Sequence, residues 1–150
     1  MHLALRYLGY RPRSEAEVRQ HLRRQGCTPA LADSIIERLR SLNYLNDENF
    51  ALHWALGRAQ ARSYGPRRIE QELRHKGVGL PLIGRAIRQA FDEVDENRQA
   101  KRLLNRHFAE KDLQDPKVRR RAVAFLLRRG YGSNVVFNLL GYRVEEDVET

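Results

Sequence analysis

Three stretches of the chain repeat one spacing, in which an apolar residue, a leucine and a glycine are separated by three residues each. The copies are Val18-Leu22-Gly26, Ile69-Leu73-Gly77 and Ala122-Leu126-Gly130. Successive glycines are 51 and 53 residues apart. A structural unit repeated at such a period predicts an array, and arrays typically bind an extended partner.

The pattern continues beyond each glycine, where apolar residues return five, six, nine and ten positions later. This spacing is typical of one face of an α-helix and differs from the alternation of a strand. Each copy therefore predicts a helix that ends at the glycine and a second helix that follows it. The matched residues are Leu31, Ala32, Ile35 and Ile36, then Leu82, Ile83, Ala86 and Ile87, then Val135, Val136, Leu139 and Leu140.

Helix boundary signals agree with this interpretation. Ser14 and Glu17 have the spacing of a capping box, and Pro66 and Pro116 suit the first position of a helix. Gly26, Gly77 and Gly130 are expected to close their helices in a left-handed conformation. A further helix is predicted before each pair, over about 3–9, 47–62 and 97–108, the second of these with Asn46 as its N-cap.

These elements predict an all-α protein built from three tandem three-helix repeats. We place the units at 1–45, 46–94 and 95–144. Residues 145–150 form an acidic tail that is expected to be disordered, because nothing in it can be buried. Units of this size are only marginally stable alone, so each is expected to be stabilised by packing against its neighbour.

The charge of the chain is +9, and it is spread unevenly. Residues 1–50 carry +2, residues 51–95 carry +3, and residues 96–144 carry +8 before the tail adds −4. A basic surface of this size indicates a nucleic acid or an acidic protein as partner.

Twelve basic residues are the candidates for contact with that partner. Those in a last helical turn are also favoured by the helix dipole, whereas those at helix starts are not, so the second group is the stronger. Tyr10 and Tyr64, beside arginines in loops, are expected to be exposed, and most other aromatic residues to be core. The candidates are Arg58, Arg62, Arg67, Arg68, Arg74, Lys76, Lys117, Arg119, Arg120, Arg121, Arg128 and Arg129.

Catalysis and cofactor binding find no support in the sequence. The five histidines are scattered, no cluster has metal-ligand spacing, and no glycine-rich phosphate loop is present. Cys27, the single cysteine, fits a small buried residue in a reducing compartment. No apolar run suits a membrane span or a signal peptide. We expect a soluble cytoplasmic protein without enzymatic activity, cofactor or metal.

Several motifs of the chain together resemble the RecX family, bacterial regulators of the RecA recombinase. The resemblance is strong from about Ala4 to Phe91 and looser afterwards, where Ala122 and Asp115-Pro116 depart from the family pattern. The block around Asn46-Asp47, with Gly65 and Glu72-Leu73, is specific. The motifs are Arg13-Ser14-Glu15, Leu22 with Gly26, Leu45-Asn46-Asp47 with Phe50-Ala51, Tyr64-Gly65-Pro66, and Glu72-Leu73-Arg74-His75-Lys76-Gly77-Val78.

The resemblance implies a curved, elongated monomer that binds the groove of the RecA filament on single-stranded DNA. It implies suppression of filament extension, ATP hydrolysis, strand exchange and coprotease activity, with at most weak direct contact to single- or double-stranded DNA. The family motif residues Asn46, Asp47, Gly65, Leu73 and Gly77 are interpreted as determinants of the fold.

A direct DNA-binding helix-turn-helix protein is the alternative, since each glycine joins two helices. In the first unit the second helix exposes Asp33 and Glu37, which would repel phosphate. Arg85, Arg88 and Gln89 make the second unit more suitable. A third functional class is a purely structural adaptor that binds acidic proteins, but no specific motif of the chain indicates it.

Overall fold

The computed structural model describes residues 1–142, apart from the side chain of Glu93, and these residues form an all-α fold. The predicted acidic tail therefore lies outside the described residues. Helices connected by short turns account for the described chain, which contains no strand. The helices are α1 (His2–Leu8), α2 (Glu15–Arg24), α3 (Pro29–Ser41), α4 (Asp47–Arg62), α5 (Pro66–His75), α6 (Leu80–Glu93), α7 (Glu96–His107), α8 (Pro116–Arg128) and α9 (Ser133–Leu139).

The predicted helix starts are confirmed. Ser14 and Glu17 form a complete capping box at α2, each side chain accepting a bond from the backbone N–H of the other residue. Asn46 caps α4 by accepting from the N–H of Asn49 at 3.1 Å. Pro66 and Pro116 begin α5 and α8. Local sequence chemistry therefore sets where these helices begin.

The three repeat glycines adopt the left-handed conformation that the sequence predicts. Their φ angles are +88° at Gly26, +77° at Gly77 and +97° at Gly130. In each case the following residue donates its backbone N–H to the repeat leucine carbonyl, which closes the helix.

Each set of three helices buries its own hydrophobic core, so the fold consists of tandem three-helix units. Unit 1 is α1–α3, with a core that includes Leu22, Ile36 and Leu39. Unit 2 is α4–α6, centred on Leu73, and unit 3 is α7–α9, centred on Leu126. Most helix packing lies within a unit, and the boundaries depend on a small number of specific contacts.

The junction between units 1 and 2 is formed by the turn after α5 and the start of α2. The Ser14 hydroxyl donates to the carbonyl of Lys76 at 2.6 Å, and Ser14 is fully buried. A Cβ on Gly77 would lie less than 3.0 Å from Cβ of Ala16, so the turn approaches α2 more closely than any side chain would permit.

The junction between units 2 and 3 uses the equivalent surfaces. The turn after α8 meets the start of α5, where the N–H of Gly65 donates to the carbonyl of Arg129 at 2.8 Å. The N–H of Arg67 donates to the carbonyl of Gly130 at 2.9 Å. The glycine turn of each following unit therefore docks on the start of the second helix of the preceding unit.

Removal of the Ser14 hydroxyl is expected to weaken both a helix cap and a junction. Ser14→Ala should cost about 2–3 kcal/mol, because the cap is lost and the Lys76 carbonyl at the junction loses its donor. Thr28→Ala is the matched control, since Thr28 caps α3 from an exposed position and its loss should cost only about 1 kcal/mol. Urea denaturation measures both, and equal losses would contradict a junction role for Ser14.

Candidate functional site

A concentration of positive charge among the described residues lies where unit 3 meets unit 2. Arg98, Arg102 and Arg106 follow one another at intervals of four along α7, so they project from the same face of that helix. All three side chains are exposed. The apolar face of the helix, which includes Leu103 and Leu104, packs into the core of unit 3 and fixes the direction of the stripe.

This stripe forms one wall of a groove whose other wall comes from unit 2 and from the α8–α9 turn. Two adjoining cavities of about 560 and 580 Å³ share Ser63, Leu103 and Arg106. We call the whole feature the arginine groove. Its arginines are Arg62, Arg68, Arg98, Arg102, Arg106 and Arg129.

Aromatic rings and carbonyls orient the second wall of the groove. The guanidinium of Arg68 lies 4.0 Å from the centre of the Tyr64 ring, and that of Arg129 lies 5.8 Å from it. Arg129 also donates to the carbonyl of Arg62 at 3.0 Å. Tyr64 is only 9% exposed, so the prediction that it is exposed is wrong: its ring packs into the core of unit 2 beneath these arginines. Tyr10 is 73% exposed, as predicted.

A buried tyrosine and a buried amide join the two walls at the floor of this region. The Tyr131 hydroxyl donates to the carbonyl of Ser63 at 2.7 Å, and burial raises the pKa of Tyr131 well above its usual range. The hydroxyl therefore remains a donor across the whole physiological pH range. Gln99 donates its amide nitrogen to the carbonyl of Ala59, and its amide oxygen accepts no bond from any described residue.

The groove arginines have no acidic counterparts among the described side chains. None of the ion pairs within 4.0 Å that the described residues form involves any of the six. Asp95, on the cavity wall, caps α7 by accepting from the N–H of Arg98. Six like charges in one groove repel one another, and a polyanion relieves that repulsion, so the arrangement suits phosphate or carboxylate groups.

Three of the predicted contact residues, Arg62, Arg68 and Arg129, lie in the arginine groove. Six others have exposed side chains elsewhere on the described surface. Of these, Arg74 faces Glu70 in an exposed ion pair of 3.3 Å, one helical turn away. The six are Arg67, Arg74, Lys117, Arg120, Arg121 and Arg128.

The remaining three candidates have partners within the fold. Arg58 lies over the Trp54 ring and 3.5 Å from a carboxylate oxygen of Glu72. Lys76 pairs with Glu17 across the first junction. Arg119 donates through Nε to the carbonyl of Leu140 at 2.8 Å, which caps the last helix. Arg119 lies in the first turn of α8, beside the C-terminal end of α9. Its position is explained by this contact between helices, which the local sequence does not indicate.

The stripe formed by Arg98, Arg102 and Arg106 is absent from the predicted contact residues. Its signal is present in the sequence, because three arginines at intervals of four must share one helix face.

Neither a metal site nor a membrane span emerges from the described part of the chain. Within residues 1–142 no group of three or more His, Cys, Asp or Glu side chains could hold a metal ion. Of the helices found there, none combines the length and the apolar character needed to cross a bilayer.

Three family models match successive parts of the chain. The first, second and third three-helix domains of RecX match residues 1–39, 46–87 and 94–140. The chain belongs to the RecX family. The resemblance noted from the sequence motifs is thereby confirmed, and so is the all-α fold with three tandem three-helix repeats.

Curated relatives of this RecX-family chain carry the name Regulatory protein RecX. The relative from Syntrophotalea carbinolica is 38% identical over 137 residues, which are 89% of each chain. The relative from Deinococcus radiodurans is 37% identical over 135 residues, which are 89% of this chain and 63% of the relative. The chain spans about half the length of the Listeria monocytogenes relative, with 34% identity and 49% coverage of that protein.

Solved structures with this fold include the crystal structure of RecX from Lactobacillus salivarius. It superposes with a TM-score of 0.80 at 22% identity, covering 92% of this chain and 90% of that one. A second crystal structure of regulatory protein RecX gives a TM-score of 0.76 at 25% identity, covering 91% and 67%. These superpositions show that the chain and the two crystal structures share the same arrangement of helices.

Proposed function

We propose that this chain regulates the RecA recombinase by binding the RecA filament on single-stranded DNA. Membership in the RecX family supports the proposal, together with the name Regulatory protein RecX that its relatives carry. The observation that carries it is the arginine groove between units 2 and 3, a cationic surface whose arginines form no ion pair within the described part of the chain and which suits an extended polyanion. In this proposal the groove faces the DNA phosphates or acidic protein surface of the filament.

The tandem construction supports binding to a polymer in particular. Helices pack about 8–10 Å apart, so three units in a row can span surfaces that belong to more than one protomer. A ligand that binds one filament conformation better than another shifts the filament towards that conformation without any chemistry of its own. We propose that this locking suppresses filament extension, ATP hydrolysis, strand exchange and coprotease activity.

The proposal assigns no catalytic step to the chain and places it in the cytoplasm as a monomer. In this proposal regulation arises from differential affinity alone, which a cationic groove on a tandem array can supply. Because the attraction is electrostatic, binding is expected to weaken as the salt concentration rises.

The ATPase of preformed RecA filaments tests the proposal most directly. Substoichiometric or near-stoichiometric amounts of this protein are expected to inhibit ATP hydrolysis and strand exchange. The Arg23→Gln/Arg24→Gln/Arg38→Gln variant, with three exposed charges removed from unit 1, should inhibit as the native protein does. Untouched ATPase and strand exchange, combined with tight binding to a defined duplex sequence, would reject this function in favour of the helix-turn-helix alternative.

A further inference from the structure

A third cavity, of about 380 Å³, lies at the junction of units 1 and 2, away from the arginine groove. Tyr44, Phe50 and Trp54 form an aromatic wall, and Arg11 and Arg13 lie on the side contributed by the α1–α2 connection. We call this feature the aromatic pocket. Tyr44 is 57% exposed, which is unusual for a side chain of its size and leaves the mouth of the pocket apolar.

Two residues that line the pocket each carry a buried hydrogen-bond donor without an acceptor among the described residues. These donors are Nε of Arg13 and Nε1 of Trp54. Because both atoms are buried beneath the pocket surface, an occupant would contact the exposed parts of the lining side chains and not these atoms.

The charge around the aromatic pocket favours an acidic occupant. Among the described residues, Glu17 is the one carboxylate within 4.0 Å of the cations here, and it is shared among three of them. Arg11 lies 2.6 Å from it, Arg13 3.9 Å and Lys76 3.4 Å. Burial opposes ionisation of Glu17, but bonds from Arg11 and the Ser14 N–H outweigh it, so the pKa of Glu17 lies below its usual value. One carboxylate cannot neutralise three cations, and no acidic side chain lines the pocket.

The Trp54 ring is poorly placed to stack on a nucleobase. Arg58 lies over the ring at 4.3 Å from its centre, Lys76 at 5.1 Å, and the Phe50 ring packs against it at 5.8 Å. The faces that a base would need are thus occupied, and the edge that carries Nε1 is buried. This arrangement favours a protein segment over single-stranded nucleic acid.

We propose that the aromatic pocket binds a short acidic segment of a partner protein, which inserts an apolar side chain beside Tyr44 and Phe50. Carboxylates of that segment meet the accessible guanidinium of Arg11. The pocket would tether a partner at unit 1 while the arginine groove contacts a polyanion at the other junction. Its direct test needs no RecA, so its outcome and that of the proposed function are separable.

Trp54 is the only tryptophan of the chain, so its indole N–H gives a single, directly assignable nuclear magnetic resonance signal. The probe is a blocked hexapeptide in which phenylalanine and leucine are flanked on each side by two glutamates. Titration with it should shift the indole proton signal in a saturable manner, because Trp54 lines the pocket and its surroundings change when the peptide binds. Control peptides replace the glutamates with lysines, or the phenylalanine and leucine with serines, and an oligothymidine of 12 nucleotides is titrated in parallel.

Two variants locate the binding site. Tyr44→Ala should raise the Kd of the acidic peptide at least fivefold. Leu80→Ala, an equally exposed change at 58%, should alter it less than twofold. Arg11→Gln should weaken the glutamate peptide at least fivefold without improving the lysine peptide. Equal binding of the lysine peptide, an indole signal that no peptide moves, or a response to the oligonucleotide alone would each overturn the proposal.

Discussion

Gly130→Ala is expected to lower the free energy of unfolding by more than about 3 kcal/mol. This is the largest loss of stability that we predict for a single substitution. The residue adopts a φ of +97°, which costs a non-glycine residue about 1–2 kcal/mol. The added Cβ would also lie less than 3.0 Å from the backbone nitrogen of Arg68, so the second junction must open to admit it. Urea denaturation followed by circular dichroism measures the loss.

Gly26 provides the matched control, because it has the same role in its own unit without a junction. Its φ is +88°, and a Cβ there would meet nothing within 4 Å. Gly26→Ala should therefore cost only the conformational term of about 1–2 kcal/mol. If the two variants lose the same stability, then close approach at the junction is not what demands glycine at position 130.

Replacement of Arg98, Arg102 and Arg106 by glutamine is expected to weaken binding to RecA filaments on single-stranded DNA by at least about tenfold near physiological salt. Each phosphate contact on single strands contributes about −0.7 to the slope of log K against log salt. Loss of three contacts should thus flatten that slope by about 2. Fluorescence anisotropy of labelled filaments at several salt concentrations measures both quantities.

The unit 1 variant that lacks Arg23, Arg24 and Arg38 loses the same net charge from exposed positions outside the groove. It should bind filaments with nearly native affinity and salt slope. Equal weakening by both variants would mean that net charge, and not the groove, governs binding. A native slope in the groove variant would remove α7 from the interface.

Much of the fold was predictable because local chemistry and periodicity determine it. The leucine-glycine spacing reports a helix that closes on a left-handed residue, and the structure shows this conformation at Gly26, Gly77 and Gly130. The Ser14 capping box and the Asn46 cap depend only on residues within one turn, so the sequence alone was sufficient for both.

The junctions and the candidate site could not be predicted in the same way, because they bring together residues far apart in the chain. Arg129 and Arg62 are 67 residues apart and meet only when unit 3 docks on unit 2. The loop position of Tyr64 suggests exposure, but its ring is buried because the core of unit 2 and the arginine at position 68 pack against it. The shared face of the three α7 arginines can be read from the sequence, but the groove that they form with unit 2 cannot.

Separate cores joined by small junctions also have a consequence for internal motion. A molecule with one continuous core opens all at once, whereas an array can open one repeat at a time. Unit 2 is held through Lys76 on one side and Gly65 on the other, while units 1 and 3 are each held by a single described junction. Amide hydrogen exchange should therefore be slowest in the middle of this chain, and its two outer helical bundles should adjust most readily to the surface they meet.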